Sequence, residues 1–119
     1  MTDSDTIFIH ELKVSTQIGI FAWEQAIQQT LLFDLELNCD ICAAGKSGQI
    51  QDAIDYAVVA EAVTSFVSSQ SFQLIEQVAE QVANLILAQF SATKLRLTVT
   101  KIGAIANAKA VGVSIERSK

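Results

Sequence analysis

The sequence predicts an α+β fold in which two strands, two helices and two more strands follow one another (ββααββ). The strands are expected to form a four-stranded antiparallel sheet with both helices on one face. Apolar and polar residues alternate near both ends of the chain, and apolar residues recur at helical spacing in its middle. No internal repeat or linker divides the 119 residues, so we expect residues 1–119 to form one domain.

The first two predicted strands differ in how clearly they alternate. Thr6–Val14 has apolar residues on both faces, whereas Thr30–Asp40 sets Phe33 and its neighbouring leucines against a polar face. Between these strands, Ser15–Gln29 is predicted to form a long loop. Loops of that length in compact domains commonly carry function.

The middle of the chain predicts two helices after an irregular connection. Ala43–Asp55 contains two glycines and predicts a loop. Asp55 is a good N-cap for a helix that runs to about Ser69. Ser71 is then predicted to cap a longer helix over Phe72–Phe90, which has a broad apolar stripe.

Two alternating segments, Leu95–Thr100 and Lys109–Arg117, predict the last two strands. The chain is 50% hydrophobic and has no proline, which is one of the residues that protect exposed strand edges. We therefore expect self-association to cover apolar surface and strand edges.

The charge balance argues against several kinds of partner. Thirteen acidic residues against eight Lys and Arg give a net charge of −5, whereas nucleic acids and anionic membranes attract basic surfaces. The longest uncharged run, Ala62–Ile75, is too short to span a bilayer. Met1–Asp5 lacks the features of a signal peptide, so we expect a cytoplasmic protein with neither nucleic acid nor membrane as partner.

Cys39 and Cys42 form a single C-x-x-C pair. A redox pair of the thioredoxin type should open a helix, but these residues follow a predicted strand. A structural zinc site needs four ligands, and His10 is the only histidine. We interpret the cysteines as partly buried thiols and expect no metal and no other cofactor.

Four strings carry more information than the composition. They are Ile18–Gln25 (IGIFAWEQ), Asp55–Ala57 (DYA), Leu74–Glu80 (LIEQVAE) and Thr100–Ala104 (TKIGA). Together, in this order and at this spacing, they resemble the dihydroneopterin aldolase family of folate biosynthesis over almost the whole chain. The resemblance implies a tunnelling fold, in which several protomers close one barrel as a tetramer or homo-octamer, with active sites between neighbouring protomers.

The resemblance also implies a reaction on a small pterin. In this family 7,8-dihydroneopterin is cleaved by a retro-aldol step to 6-hydroxymethyl-7,8-dihydropterin and glycolaldehyde. The ring imine of the substrate accepts the electrons, so neither a metal ion nor a lysine imine is implied. Because the intermediate can add glycolaldehyde again, epimerisation of the side chain is an expected minor activity.

Three residues match catalytic positions of the family. The resemblance implies that Lys101 moves protons through a water, and that Glu24 pairs with it and holds the side-chain hydroxyls of the substrate. It also implies that Tyr56 lies at the pterin and gives a proton to the enol-like intermediate. Without the resemblance, these would be an exposed lysine, an exposed loop acid and a half-buried aromatic side chain.

The start of the second helix matches the family's pterin anchor. The resemblance implies that Glu76 accepts hydrogen bonds from the pterin 2-amino group and ring N–H, and that backbone at Leu74 and Ile75 meets other pterin edges. Without it, Glu76 would be an acid complementing the helix dipole. Ile102 stands where the family commonly has proline, so we expect a changed geometry in the turn after Lys101.

Two alternatives stay open at this point. An epimerase acting on dihydroneopterin or its triphosphate would share the fold, but a triphosphate enzyme should present a basic cluster. Beyond Lys101 the chain offers only Lys13, Lys46 and Lys109 as candidates. A non-catalytic oligomeric pterin binder would need Glu76 and not Lys101.

Overall fold

The computed structural model describes residues 5–119, so most of the Met1–Asp5 segment lies outside the described residues. The strands are β1 (Asp5–Ile18), β2 (Gln29–Cys39), β3 (Ser71–Phe72), β4 (Lys94–Ile102) and β5 (Ala110–Ser118). The helices are α1 (Ala22–Gln25), α2 (Cys42–Ser47), α3 (Tyr56–Ser68) and α4 (Ile75–Gln89), with a 3₁₀ turn at Ile50–Asp52. No helix within residues 5–119 is long and apolar enough to cross a bilayer.

The sheet has five strands in the order β3-β1-β2-β4-β5, so the predicted α+β class is confirmed but the four-stranded antiparallel sheet is corrected. β3 pairs with the end of β1 in parallel, whereas the other neighbours are antiparallel. The chain is held there as it leaves α3, because the buried Thr16 hydroxyl bonds the carbonyls of Val67 and Gln70.

The predicted helix after β3 also starts later than expected. Ser71 belongs to β3 and does not cap a helix; Leu74 is the N-cap of α4, which begins at Ile75. The Asp55 cap of α3 is confirmed, since its carboxylate accepts from the N–H groups of Ala57 and Val58. The position of Leu74, at the start of α4, places the whole Leu74–Glu76 segment at one end of the sheet.

Helices α3 and α4 pack against the sheet, α3 over β1 and α4 over β4 and β5. The core between them is mostly aliphatic and also contains Phe33 and Phe72. Its largest fully buried members are Phe33, Ile18, Leu31, Leu35, Leu37, Ile86, Leu95 and Leu97. Apolar and polar residues therefore alternate along β2 and β4 because one face of each strand is buried, as predicted.

A β-bulge interrupts β1. The register with β2 shifts between Ile9 and Leu12, so that His10 and Glu11 both lie opposite Asp34. Glu11 has a φ of 54°, and its backbone N–H donates to the Asp34 carboxylate at 2.9 Å. Apolar residues face the core at odd positions before the bulge and at even positions after it. This phase shift explains why the β1 sequence has apolar residues on both predicted faces.

The two predicted loops contain more structure than expected. β1 continues to Ile18 and α1 forms at Ala22–Gln25, both inside the predicted Ser15–Gln29 loop. The predicted Ala43–Asp55 loop contains most of α2 and the 3₁₀ turn. Cys39 is buried at the end of β2, and Cys42 is exposed at the start of α2. Helix α1, helix α2 and the 3₁₀ turn are too short to show a periodic apolar pattern, so the sequence did not predict them.

Candidate active site

An ion pair links α1 to the end of β4. The Lys101 Nζ atom lies 3.1 Å from the Glu24 Oε2 atom, and the two side chains are 14% and 13% exposed. Lys101 is paired with Leu31 of β2, so it lies at the end of the sheet where β1 finishes and β2 begins. The structure therefore brings together two of the three residues for which catalytic roles are expected.

The backbone before α1 fixes where the Glu24 carboxylate lies. Its Oε1 atom accepts from the Phe21 N–H at 3.2 Å, leaving Oε2 for Lys101. Gly19 has a φ of 145°, and a Cβ atom added there would lie 2.5 Å from the Glu24 Cβ atom. Only glycine tolerates this conformation and leaves that space to the Glu24 side chain.

The same contacts keep Glu24 ionised. The hydrogen bond from Lys101, followed by the one from the Phe21 N–H, lowers the pKa of the Glu24 carboxyl below its ordinary value. At neutral pH this carboxylate is therefore charged and able to accept further hydrogen bonds. A ligand hydroxyl is one group that could donate them.

A cavity of about 290 Å³ lies beside the pair. Its walls come from the end of β1 and α1, the start of α4 with the segment before it, the end of β4 and the start of β5. The lining residues are Ile18, Gly19, Ile20, Phe21, Glu24, Gln73, Leu74, Ile75, Glu76, Lys101, Ala104 and Val111. Five of the six predicted site residues thus line one cavity, of a size that suits a small heterocycle.

The charge in this cavity is predominantly acidic. Glu24 and Glu76 contribute two carboxylates, and Lys101 is the one basic residue among those that line it. Glu76 lies in the first turn of α4 and is exposed in the single protomer. The site can therefore accept hydrogen bonds from a ligand rich in N–H groups.

The sixth predicted residue, Tyr56, lies elsewhere. It begins α3 and is 66% exposed, whereas the last turn of that helix receives the Thr16 hydrogen bond near the end of β1. Thirteen residues of α-helix measure about 20 Å. One protomer therefore does not bring Tyr56 to Lys101, because the helix carries it toward the opposite end of the sheet.

A second cavity of about 270 Å³ lies at that opposite end. It is lined mainly by residues from the end of β2 and from the Asp40–Ile54 segment, with Asp40 and Asp52 as its charged groups. None of the six predicted residues lines it. Among residues 5–119, no group of three or more His, Cys, Asp or Glu side chains could hold a metal ion.

Gly19 and Gln25 support the site, although no role was predicted for either residue from the sequence. The Gln25 side-chain amide donates to the carbonyls of Gly19, at 2.5 Å, and Phe72, at 2.7 Å. Both residues lie within the Ile18–Gln25 string that carries the family resemblance. A glycine just before a short helix was the one signal that could have identified the Glu24 support.

Comparison with known proteins gives consistent matches. A family model described as FolB: Dihydroneopterin aldolase matches residues 7–116. The dihydroneopterin aldolase of Escherichia coli (strain K12) is 47% identical over 113 residues, covering 95% of this chain and 93% of the relative. That of Haemophilus influenzae (strain ATCC 51907 / DSM 11121 / KW20 / Rd) is 41% identical over 113 residues, covering 95% and 96%.

A solved structure gives the same result for the fold. The crystal structure of E. coli dihydroneopterin aldolase in complex with neopterin superposes with a TM-score of 0.94 at 46% identity. The match covers 96% of this chain and 99% of that chain. The resemblance thus extends over nearly all elements of the fold.

Proposed function

The chain belongs to the dihydroneopterin aldolase family of folate biosynthesis and is an enzyme of this type, and we propose that the cavity beside Lys101 is where its reaction takes place. There, 7,8-dihydroneopterin is cleaved to 6-hydroxymethyl-7,8-dihydropterin and glycolaldehyde. The observation that carries this proposal is the Lys101–Glu24 ion pair on the wall of a cavity that Glu76 also lines. The complex of the E. coli relative with neopterin supports a pterin as ligand.

The chemistry needs proton transfer and an electron acceptor. A base removes the proton of the hydroxyl on C2′, the second carbon of the three-carbon side chain, and the C1′–C2′ bond breaks. C2′ becomes the aldehyde carbon, and C2′ and C3′ leave as glycolaldehyde. The bonding electrons move into the ring imine, whose nitrogen takes up a proton. The carbon attached to the ring then gains a proton as the nitrogen loses one, which restores the imine. No metal and no covalent intermediate with a lysine is required.

In this proposal Lys101 and Glu24 assist the proton transfers. The Glu24 carboxylate, ionised by its contact with Lys101, accepts hydrogen bonds from the substrate hydroxyls. Lys101 relays protons through a water between the hydroxyl and the ring. General acid–base catalysis of this kind contributes a factor of about 10²–10⁴ to the rate.

Glu76 and the first turn of α4 bind the pterin ring. The carboxylate accepts from the 2-amino group and the ring N–H, and such charge-assisted bonds contribute about 1.5–3 kcal/mol. The N–H groups of Ile75 and Glu76, in the first turn of α4, have no preceding helical carbonyl to bond, and together with the Leu74 backbone they can meet other pterin edges.

Tyr56 enters the site of a neighbouring copy in this proposal. Exposed apolar side chains lie near Lys101, namely Ile20, Phe21, Trp23 and Ile102, and others lie toward the opposite end, namely Ile41, Ile50, Tyr56 and Val58. Contact between two unlike surfaces of this kind is head-to-tail, and such contacts form a ring when the rotation between neighbours closes. We therefore place Lys101 of one protomer and Tyr56 of the next in a shared site, within a barrel-forming tetramer or octamer.

The triphosphate alternative has little support in this cavity. Lys101 is the one basic residue among those lining it, and its ammonium group is already paired with Glu24. A triphosphate would need several cations that this wall does not offer. Epimerisation of unphosphorylated dihydroneopterin stays compatible with the same residues, as a minor outcome of the aldol equilibrium.

The test is incubation of the purified protein with 7,8-dihydroneopterin, followed by separation of pterins and an assay for glycolaldehyde. We expect equal amounts of 6-hydroxymethyl-7,8-dihydropterin and glycolaldehyde. An epimer formed without glycolaldehyde would indicate the epimerase instead. Tight pterin binding without any product would indicate a non-catalytic binder.

A further inference from the structure

We infer that Gln25 is a positioning residue of the active site, whose amide group fixes the Lys101–Glu24 pair relative to the Gln73–Glu76 segment. This inference rests on the proposed function of the same cavity. Gln25 is adjacent to Glu24 but does not line the cavity, so it acts through its neighbours.

The Gln25 amide joins three segments of the chain. Its Nε2 atom has two N–H donors, and they bond the Gly19 carbonyl at 2.5 Å and the Phe72 carbonyl at 2.7 Å. The Gly19 N–H donates to the same Phe72 carbonyl at 3.0 Å. Gln25 therefore stands where α1, the end of β1 and the end of β3 meet.

Each of the bonded carbonyls leads directly to one wall of the cavity. Gly19 leaves the space that the Glu24 side chain occupies, and Phe72 is followed at once by Gln73. Without the amide, the Gly19–Phe72 backbone bond would persist and keep β3 on β1. Helix α1 alone would lose its tie to both strands. We therefore expect Glu24 to shift while the Leu74–Glu76 segment stays in place.

Substitutions at this position separate the possible roles of the amide. Glu in place of Gln25 preserves length but sets a carboxylate against two carbonyl oxygens, which cannot donate to it. Asn keeps both donors on a side chain shorter by one methylene. Ala removes the contacts altogether. The loss should therefore be largest for the Ala and Glu variants and smaller for the Asn variant.

The expected effect is on the chemical step and not on pterin binding. Misplacement of a catalytic group by about 1 Å costs on the order of 10²-fold in rate. Binding of the pterin ring at Glu76 does not use Glu24. A positioning role thus predicts a lower kcat with unchanged pterin affinity, whereas loss of overall stability would affect both.

The experiment compares Gln25→Ala, Gln25→Glu and Gln25→Asn with Gln28→Ala, a control at an exposed glutamine three residues further on. For each variant we measure kcat for glycolaldehyde release, its pH dependence, and Kd for 6-methylpterin, which has the pterin ring but no side-chain hydroxyl for Glu24 to bind. We expect Gln25→Ala and Gln25→Glu to lower kcat about 10- to 100-fold. Kd should change by less than about threefold, because ground-state binding is preserved.

The pH dependence provides a readout that a structural role alone would not move. As Glu24 leaves Lys101, the lowered pKa of Glu24 should rise toward its ordinary value, so the acid limb of kcat should move to higher pH. Unchanged kcat in Gln25→Ala, or equal losses of kcat and 6-methylpterin affinity with a fixed acid limb, would overturn the inference.

Two further controls separate the possible failures. If Gln25→Ala does not fold, Gln25→Asn, which keeps both donors, must show the intermediate kcat and the shifted acid limb for the inference to stand. If the wild-type protein releases no glycolaldehyde, the proposed function fails. If the wild type is active and the Gln25 variants behave like Gln28→Ala, only the positioning role is overturned.

Discussion

The ammonium group of Lys101 and the carboxylate of Glu24, 77 residues apart in the chain, meet at 3.1 Å. Both side chains are largely shielded from solvent by their own protomer. The Glu24 carboxylate is therefore charged and oriented by contacts within its own chain, and in the proposed reaction it meets the substrate hydroxyls in that state.

Replacing Lys101 with alanine should affect turnover far more than binding. If Lys101 transfers protons in the transition state, kcat should fall about 10²–10⁴-fold. Affinity for neopterin should change little, since the ground state does not need that transfer. Single-turnover rates and equilibrium binding measure the two effects, with the exposed Lys109→Ala as the matched control. Normal turnover in Lys101→Ala would remove Lys101 from the mechanism.

Replacing Glu76 with alanine should have the opposite effect. Loss of a carboxylate that accepts two hydrogen bonds should weaken neopterin binding at least about tenfold. Glu76→Gln should restore it only in part, because a neutral amide makes weaker bonds. Glu80, one turn further along α4, pairs with Arg117 instead, so Glu80→Ala should retain affinity. Calorimetric titration with neopterin measures these affinities. Equal neopterin affinities of Glu76→Ala and Glu80→Ala would show that Glu76 does not anchor the pterin.

Acid pH should dismantle the Lys101–Glu24 pair. Because the folded protein lowers the pKa of Glu24, its contribution to stability is complete above its ordinary pKa, about 4.3, and is lost as the pH falls through the lowered value. The stability difference between wild type and Glu24→Gln should thus be constant near neutrality and shrink in acid. Urea unfolding at a series of pH values measures it, with Glu61→Gln on the exposed side of α3 as the control.

Mixing two inactive variants should restore activity if the site is shared between copies. A mixed assembly of Tyr56→Ala and Lys101→Ala protomers would contain intact pairs of Lys101 and Tyr56 at about one quarter of its interfaces. Co-refolding followed by a glycolaldehyde assay tests this, and each variant refolded alone is the control. No recovery, despite mixed assemblies shown by native mass spectrometry, would place both residues in one protomer or neither in the site.

Chelators and borohydride should leave the protein unaffected. The described part of the chain, residues 5–119, brings no three metal-ligating side chains together, and the pterin imine can accept the electrons. Treatment with EDTA should preserve the rate, and borohydride with substrate should leave the mass of the Lys101 peptide unchanged. Activity lost to EDTA and regained with zinc, or a trapped adduct, would indicate a different mechanism.

Much of the fold could be predicted because long periodic segments dominate it. β2, β4, α3 and most of α4 bury one continuous face each, β5 partly buries one, and these faces are visible in the sequence. β3 could not be predicted, because its two residues are too few to show periodicity. Their placement depends on hydrogen bonds from the Thr16 hydroxyl in β1 to carbonyls at and just after the end of α3. The core-facing side of β1 could not be recognised either, because the bulge shifts the alternation of apolar and polar residues by one position halfway along the strand.

The site was less predictable from physical pattern alone. Nothing in the spacing of Glu24 and Lys101 shows that the strand pairing of β4 with β2 brings them together; only the family resemblance suggested it. The resemblance equally gave no indication that Gln25 ties α1 to Phe72, since this contact depends on a backbone carbonyl of a distant segment. Contacts of that kind leave no residue-type pattern in the sequence.

The bulge at His10 and Glu11 has a consequence for chain length. Deleting one of these two residues would leave a single residue between Ile9 and Leu12, opposite Asp34, and the pairing with β2 would become uninterrupted. Every side chain of β1 would keep its face, at the cost of some local twist. A one-residue deletion elsewhere within β1 would turn the following side chains from the core to the opposite face of the sheet. This is therefore where β1 can be one residue shorter in a homologue without exposing the core.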